Sequence, residues 1–197
     1  KGGVGKTTTV INLAASLCLA GRKVLLMDLD PQANATSGVG VDVPAADSDE
    51  FPYLSALLNG DPLEQFICET EHENLWVLPS SPEASDLRVV RDLEAADADE
   101  LRSRMRAATE PFDYLILDCP PSLAGLPTLA LELSDGLIVP IQCEYYAMEG
   151  LSQILPLVKK IKKNTNPDLE IEGLLLTMFS QELDLSHDVV DQITEFF

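Results

Sequence analysis

Three clusters of residues in this 197-residue chain could do chemistry. The first opens it: Lys1-Gly2-Gly3-Val4-Gly5-Lys6-Thr7-Thr8-Thr9. Three glycines within five residues cannot pack a core; they let the backbone approach a ligand closely and adopt φ values that a side chain would forbid. A helical apolar pattern starts at once after them, so backbone amides and the positive end of a helix dipole face an anion. Lys6 adds a point charge for the β- and γ-phosphates, and the Thr7 hydroxyl is placed to ligate Mg²⁺. The chemistry is capture of a triphosphate tail, and the candidate binding residues are Lys1, Gly2, Gly3, Val4, Gly5, Lys6, Thr7 and Thr8.

The second cluster is Asp28-Leu29-Asp30-Pro31-Gln32-Ala33-Asn34, directly after the apolar run Val24-Leu25-Leu26-Met27. Acids at the C-terminal end of a parallel strand point into the crevice where such sheets bind ligands. An acidic, solvated turn is the structural alternative, since Asp-Pro is common in turns. The third is Asp118, at the end of Tyr114-Leu115-Ile116-Leu117 and before Cys119-Pro120-Pro121-Ser122. An acid closing a buried strand is a Walker B pattern, whose carboxylate holds Mg²⁺ indirectly, through water and the Thr7 hydroxyl.

The elements that position these clusters follow from periodicity. Val10, Leu13, Ala14, Leu17 and Cys18 place one apolar face on a helix over residues 6–20, with Gly21 where a C-cap glycine belongs. The short continuous apolar run 24–27 predicts a strand buried on both faces of a parallel sheet, 114–117 and 137–141 predict further buried strands, and 75–79 and 171–178 two more strands. Helices are expected over 53–58, in one or two pieces over 83–110, over 122–133, in a segment ending in Lys159-Lys160-Ile161-Lys162-Lys163, and over 186–197. Alternating strand and helix predicts an α/β fold: a doubly wound, mainly parallel sheet with helices on both faces, in three αβα layers.

The glycine loop, with Lys1 as a second lysine, resembles the deviant Walker A motif of the ParA/MinD ATPases. Asp28-Leu29-Asp30-Pro31-Gln32-Ala33-Asn34 is similar to that family's switch I, with Ala33 replacing a glycine. Asp118-Cys119-Pro120-Pro121-Ser122 and the run from Val139 to Leu151 resemble the ParA/Soj branch. The resemblance implies a P-loop NTPase that binds ATP and Mg²⁺. Asp30 would orient the attacking water, so Asp30, Lys6 and Lys1 are the catalytic candidates; Thr7, Asp118 and, through the metal's water shell, Asp28 are the metal candidates. It also implies an ATP-dependent homodimer in which Lys1 crosses to the partner's nucleotide, non-specific DNA binding, and slow hydrolysis stimulated by a ParB-type partner. Plasmid or chromosome partition is the expected role. Two alternatives stand beside it: a MinD-like ATPase cycling on membranes, and a nucleotide-switched scaffold with little hydrolysis.

Composition bounds the rest. Thirteen basic against 33 acidic residues give a net charge of −20, which repels nucleic acid and anionic membrane over the chain as a whole. The four lysines at 159–163 are an exception; they read first as cations favoured in a last helical turn and second as a phosphate-contacting patch. The arginines within 83–110 are interleaved with acids and read as a solvated face. Four cysteines without C-x-x-C spacing suggest neither a zinc site nor a disulfide framework, and a reducing cytoplasm is expected, without a membrane partner. A loop of this kind hangs from a strand, so the expectation is one domain over 1–197 that lacks its first strand and a C-terminal segment.

Overall fold

The computed structural model describes residues 2–42, 51–80 and 88–196. Helix α1 (Lys6–Leu19) leads to strand β1 (Val24–Asp28), a short α2 (Asn34–Gly38) and α3 (Pro52–Asn59). A 3₁₀ turn at Glu64–Phe66 precedes β2 (Cys68–Glu69) and β3 (Leu75–Leu78). Then come α4 (Arg88–Ala95), α5 (Ala98–Thr109), β4 (Tyr114–Asp118), α6 (Leu126–Leu133), β5 (Gly136–Gln142), α7 (Ala147–Asn164), β6 (Glu170–Thr177) and α8 (Asp184–Phe196).

The strands run β2-β3-β1-β4 in one sheet and β5-β6 in a second. All pairings are parallel except the short β2–β3 pair. β1 is the centre. All five of its residues are buried, because a strand alternates its side chains and both sides here are covered. Leu25 and Met27 pack with Leu54 and Leu57 of α3, Val90 and Leu93 of α4, Met105 of α5 and Leu129 of α6. Val24 and Leu26 face the other way, onto Ala14 of α1 and Ala35 of α2. This is the doubly wound, mainly parallel α/β architecture, and it explains why the sequence of β1 is apolar without alternation. Each fully buried leucine here contributes about 1.5–3 kcal/mol relative to exposure.

The second sheet packs Val139, Ile141, Leu174 and Leu176 against Leu151 of α7 and Val189 and Ile193 of α8. Its opposite face is barer: Ile138 and Leu175 are 41% and 40% exposed. Between β4 and β5 runs a cleft of about 1190 Å³, lined by Tyr114–Asp118 on one side and Leu137–Gln142 on the other. Val10, Leu13 and Leu17 line it too, so the predicted apolar face of α1 is only half-buried apart from Ala14.

Several local readings shift. α1 closes as expected: Gly21 at φ 77 follows the cap, with Arg22 N–H donating to Leu17 O and Gly21 N–H to Cys18 O. The helix expected from Ser122 begins instead at Leu126, because Gly125 (φ 71) turns the chain there and Pro127 suits a first turn. Residues 63–68, which read in sequence as a further helical turn, form a 3₁₀ turn running into β2. Two arginines of α5, Arg102 and Arg104, are ties between helices, while Arg106 stays on the solvated face with Asp135. Arg102 donates to Glu132 O (3.1 Å) and Thr165 O (2.8 Å), and Arg104 to Leu57 O (3.0 Å), satisfying carbonyls at helix ends. The polar, proline-bearing stretch over 41–52 reads in sequence as a surface loop; its residues 43–50 lie outside the described residues, as do residues 83–87 of the helices expected over 83–110.

Candidate nucleotide site

The site is assembled where α1 begins and β1 and β4 end. Gly3 (φ 78) and Gly5 (φ 88) hold left-handed backbone, which turns the loop into the helix at Lys6. Gly2 and Gly3 are exposed, and a Cβ built on either would meet nothing within 4 Å. The loop is pinned from far along the chain: Thr177, the last residue of β6, donates its hydroxyl to Val4 O at 3.0 Å. Inside the helix start, Thr9 Oγ1 donates to Gly5 O at 2.7 Å. Thr8 is exposed and lines a shallow groove with Asn12, Ser16, Ile138 and Leu175, to one side of the acids.

Parallel register sets the acids side by side, since Asp28 of β1 is the partner of Asp118 of β4. Both are fully buried. Thr7 Oγ1 donates to Asp118 Oδ2 at 2.7 Å, closing loop and strand tip together. Asp118 Oδ1 is buried without a hydrogen-bond partner among the described residues. Burial pushes the Asp118 carboxyl up to about 6; the Asp28 and Asp30 charges act in the same direction, while Thr7 and the Lys6 ammonium pull it down. A carboxylate with one empty acceptor, strained by two neighbouring acids and beside a lysine, is short of positive charge.

Asp28 is differently employed. Its Oδ2 accepts from Thr36 N–H (2.8 Å) and Thr36 Oγ1 (2.7 Å), and its Oδ1 from Asp30 N–H (3.0 Å). Burial raises its pKa, against those hydrogen bonds. Tyr53, buried under the strand end, donates to Asp28 O at 2.5 Å. Asp30 is 8% exposed; its Oδ1 accepts from Gln32 N–H at 3.0 Å and its carbonyl from Ala33 N–H. Ala33 holds φ 52, so the position where the resembled pattern has glycine is a left-handed one. Cys119, next to Asp118, has its thiol pushed up to about 12 by burial and by the adjacent carboxylate, which makes it inert.

The structure thus brings Gly2, Gly3, Val4, Gly5, Lys6 and Thr7 to the tips that carry Asp28, Asp30 and Asp118. Lys1 lies outside the described residues. Sequence reasoning missed Thr177, Thr36 and Tyr53. Among the described residues no group of three or more His, Cys, Asp or Glu could hold a metal ion alone. The donor set that is present, one threonine hydroxyl and a carboxylate with a free oxygen, suits Mg²⁺, which keeps waters and takes phosphate oxygens rather than an all-protein cage. Of the cationic patch near the end of α7, Lys162 donates to Leu169 O at 2.5 Å, while Lys159, Lys160 and Lys163 are exposed. No helix among the described residues is long and apolar enough to cross a membrane.

A family model described as an AAA domain matches residues 1–171. The chain is 44% identical over 201 residues to chromosome partitioning protein ParA of Myxococcus xanthus, an alignment covering 100% of the chain and 69% of that relative. It is 42% identical to sporulation initiation inhibitor protein Soj of Bacillus subtilis, covering 100% of the chain and 77% of the relative. Among solved structures, cobyrinic acid a,c-diamide synthase from Mycobacterium smegmatis with bound ADP and magnesium superposes with a TM-score of 0.84 at 33% identity, covering 100% of the chain and 79% of that structure. The septum site-determining protein MinD of Pyrococcus horikoshii, complexed with Mg-ADP, gives 0.68 at 27% identity over 96% of the chain and 73% of that structure.

Proposed function

The chain belongs to the ParA/Soj family of chromosome-partitioning P-loop ATPases, and from that membership we propose that it is itself a slow ATPase that holds Mg²⁺-ATP against residues 1–8. The observation that carries this reading is the 2.7 Å bond between Thr7 Oγ1 and Asp118 Oδ2, with the second Asp118 oxygen buried and unpartnered. Thr7 and Asp118 would hold the cation, Asp118 through water, with Asp28 adding negative charge through the water shell. Bound Mg²⁺ supplies the charge neutralisation that phosphoryl transfer requires. That a related structure at 33% identity holds ADP and magnesium supports the same pair here.

The chain's own residues divide the work. The loop amides and the Lys6 ammonium bind the phosphates. Asp30 is the catalytic residue: at the mouth of β1, on a turn braced by its own carboxylate, it orients the attacking water. Lys1 completes the site across an ATP-dependent homodimer, so that two subunits enclose two nucleotides. Release after hydrolysis drives a cycle of non-specific DNA binding, stimulated by a ParB-type partner, in the cytoplasm on the nucleoid. The name of one relative, chromosome partitioning protein ParA, supports the partition role that this cycle would serve.

Binding of ATP with and without Mg²⁺ by calorimetry, in wild type and Lys6→Ala, tests the site. Mg²⁺-dependent affinity that falls at least tenfold in the variant is expected; unchanged affinity contradicts the reading. Light scattering with ATP tests the dimer, which Lys1→Gln should abolish while nucleotide still binds. Co-sedimentation with random-sequence DNA and with anionic liposomes, both with ATP, separates the partition cycle from a membrane cycle.

A further inference from the structure

The Asp28 carboxylate, buried completely, spends both oxygens on the loop that carries Asp30. Its partner is Thr36, itself only 2% exposed. The Thr36 hydroxyl does two jobs: it donates to Asp28 Oδ2 at 2.7 Å and accepts from the Ser80 N–H at 3.0 Å. Ser80 stands two residues past the end of β3. One hydroxyl therefore ties the tip of β1, the start of α2 and the exit of β3 together, and all three residues it joins are buried.

We propose that Thr36 is a positioning residue for hydrolysis, setting the place of Asp30 through the Asp28 carboxylate while touching no nucleotide. The inference rests on the reading of Asp30 as the catalytic residue. Its physical basis is local. Asp28 Oδ1 holds the Asp30 amide, so any rotation of the Asp28 carboxylate moves the backbone from which the Asp30 side chain hangs. The Thr36 amide and hydroxyl, both on Oδ2, are what stop that rotation. Without the hydroxyl, Oδ2 keeps one bond and the Ser80 amide loses its buried acceptor. The loop then has more than one arrangement, and small misplacements of a catalytic group are costly to rate. Among the described residues the Thr36 hydroxyl bonds Asp28 and Ser80 and not the glycine loop, so the phosphate contacts stay in place and affinity for ATP should change little.

Thr36→Val keeps the shape and removes the hydroxyl; Thr36→Ser keeps the hydroxyl. The test measures ATP turnover, ATP affinity and amide hydrogen exchange at Asp30, Thr36 and Ser80 in wild type and both variants. Thr36→Val should lower kcat at least tenfold with ATP affinity within twofold, and speed exchange at the three amides together; Thr36→Ser should restore all three readouts. Wild-type turnover in Thr36→Val, or an equal loss in Thr36→Ser, overturns the proposal. The exchange arm stands on the wild-type protein alone: rapid exchange at these amides, before any variant is made, overturns it too. If wild type shows slow exchange but no hydrolysis, it is the ATPase reading that fails, and the network survives as structural.

Discussion

Thr177 reaches the glycine loop from 173 positions away: its hydroxyl donates to Val4 O at 3.0 Å, and its methyl would lie 3.6 Å from a Cβ on Gly5. The end of β6 therefore acts as a backstop for the phosphate loop. Because 3.6 Å is ordinary contact, space does not forbid a side chain at Gly5; the backbone does, with φ at 88. Gly5→Ala should cost about 1–2 kcal/mol in denaturant unfolding, the penalty for a left-handed L-residue. It should also weaken ATP binding, because relief of that strain turns the loop amides away from the phosphates. An alanine variant with wild-type stability and affinity would show that the loop tolerates another shape.

Removing the Tyr53 hydroxyl should uncouple stability from binding. Tyr53 is buried and donates to the Asp28 carbonyl, behind the carboxylate rather than at the site. Tyr53→Phe leaves a buried carbonyl short of a donor, at a cost of about 1–2 kcal/mol. ATP affinity measured by calorimetry should stay within twofold. A large loss of affinity would mean that the floor under β1 moves with its tip.

Asp118 gives the pH dependence its sign. Its folded pKa, about 6, lies above the ordinary 3.8, so the folded state binds the extra proton between those values. Stability of the metal-free protein is then fullest below pH 4 as far as this group is concerned and falls as pH rises through 6, by about 3 kcal/mol in total. Asp28 is raised as well, and contributes in the same direction. Urea unfolding at pH 4, 5, 6 and 7 checks this: Asp118→Asn should flatten much of the slope, and an unchanged slope would place the proton elsewhere. Mg²⁺ should stabilise the wild type above pH 6 and progressively less below it, because only the carboxylate attracts the cation.

The sequence carried the strand tips well and their bracing poorly. Asp28 and Asp118 were legible because each closes a short apolar run, and parallel register then pairs them. The ParA/Soj resemblance read from the glycine loop and the Asp-Cys-Pro-Pro-Ser run is borne out by the relatives. Thr36, Tyr53 and Thr177 were not legible, because what they do is a hydrogen bond to a residue between 8 and 173 positions away, and nothing in local pattern marks it. The short helix α2 was missed for a related reason. Its entry is a non-glycine residue with positive φ, Ala33, inside a segment whose composition reads as turn. Arg102 and Arg104 sat among acids in sequence, yet their guanidinium groups seek carbonyls at the ends of neighbouring helices, which only packing brings near.

Single-turnover hydrolysis of Mg²⁺-ATP by wild type and Asp30→Ala, with affinity measured alongside, decides whether Asp30 orients the attacking water. Wild type should hydrolyse slowly, the variant should lose at least a hundredfold, and ATP affinity should stay within a few-fold in both. Hydrolysis at the wild-type rate by Asp30→Ala would contradict that role.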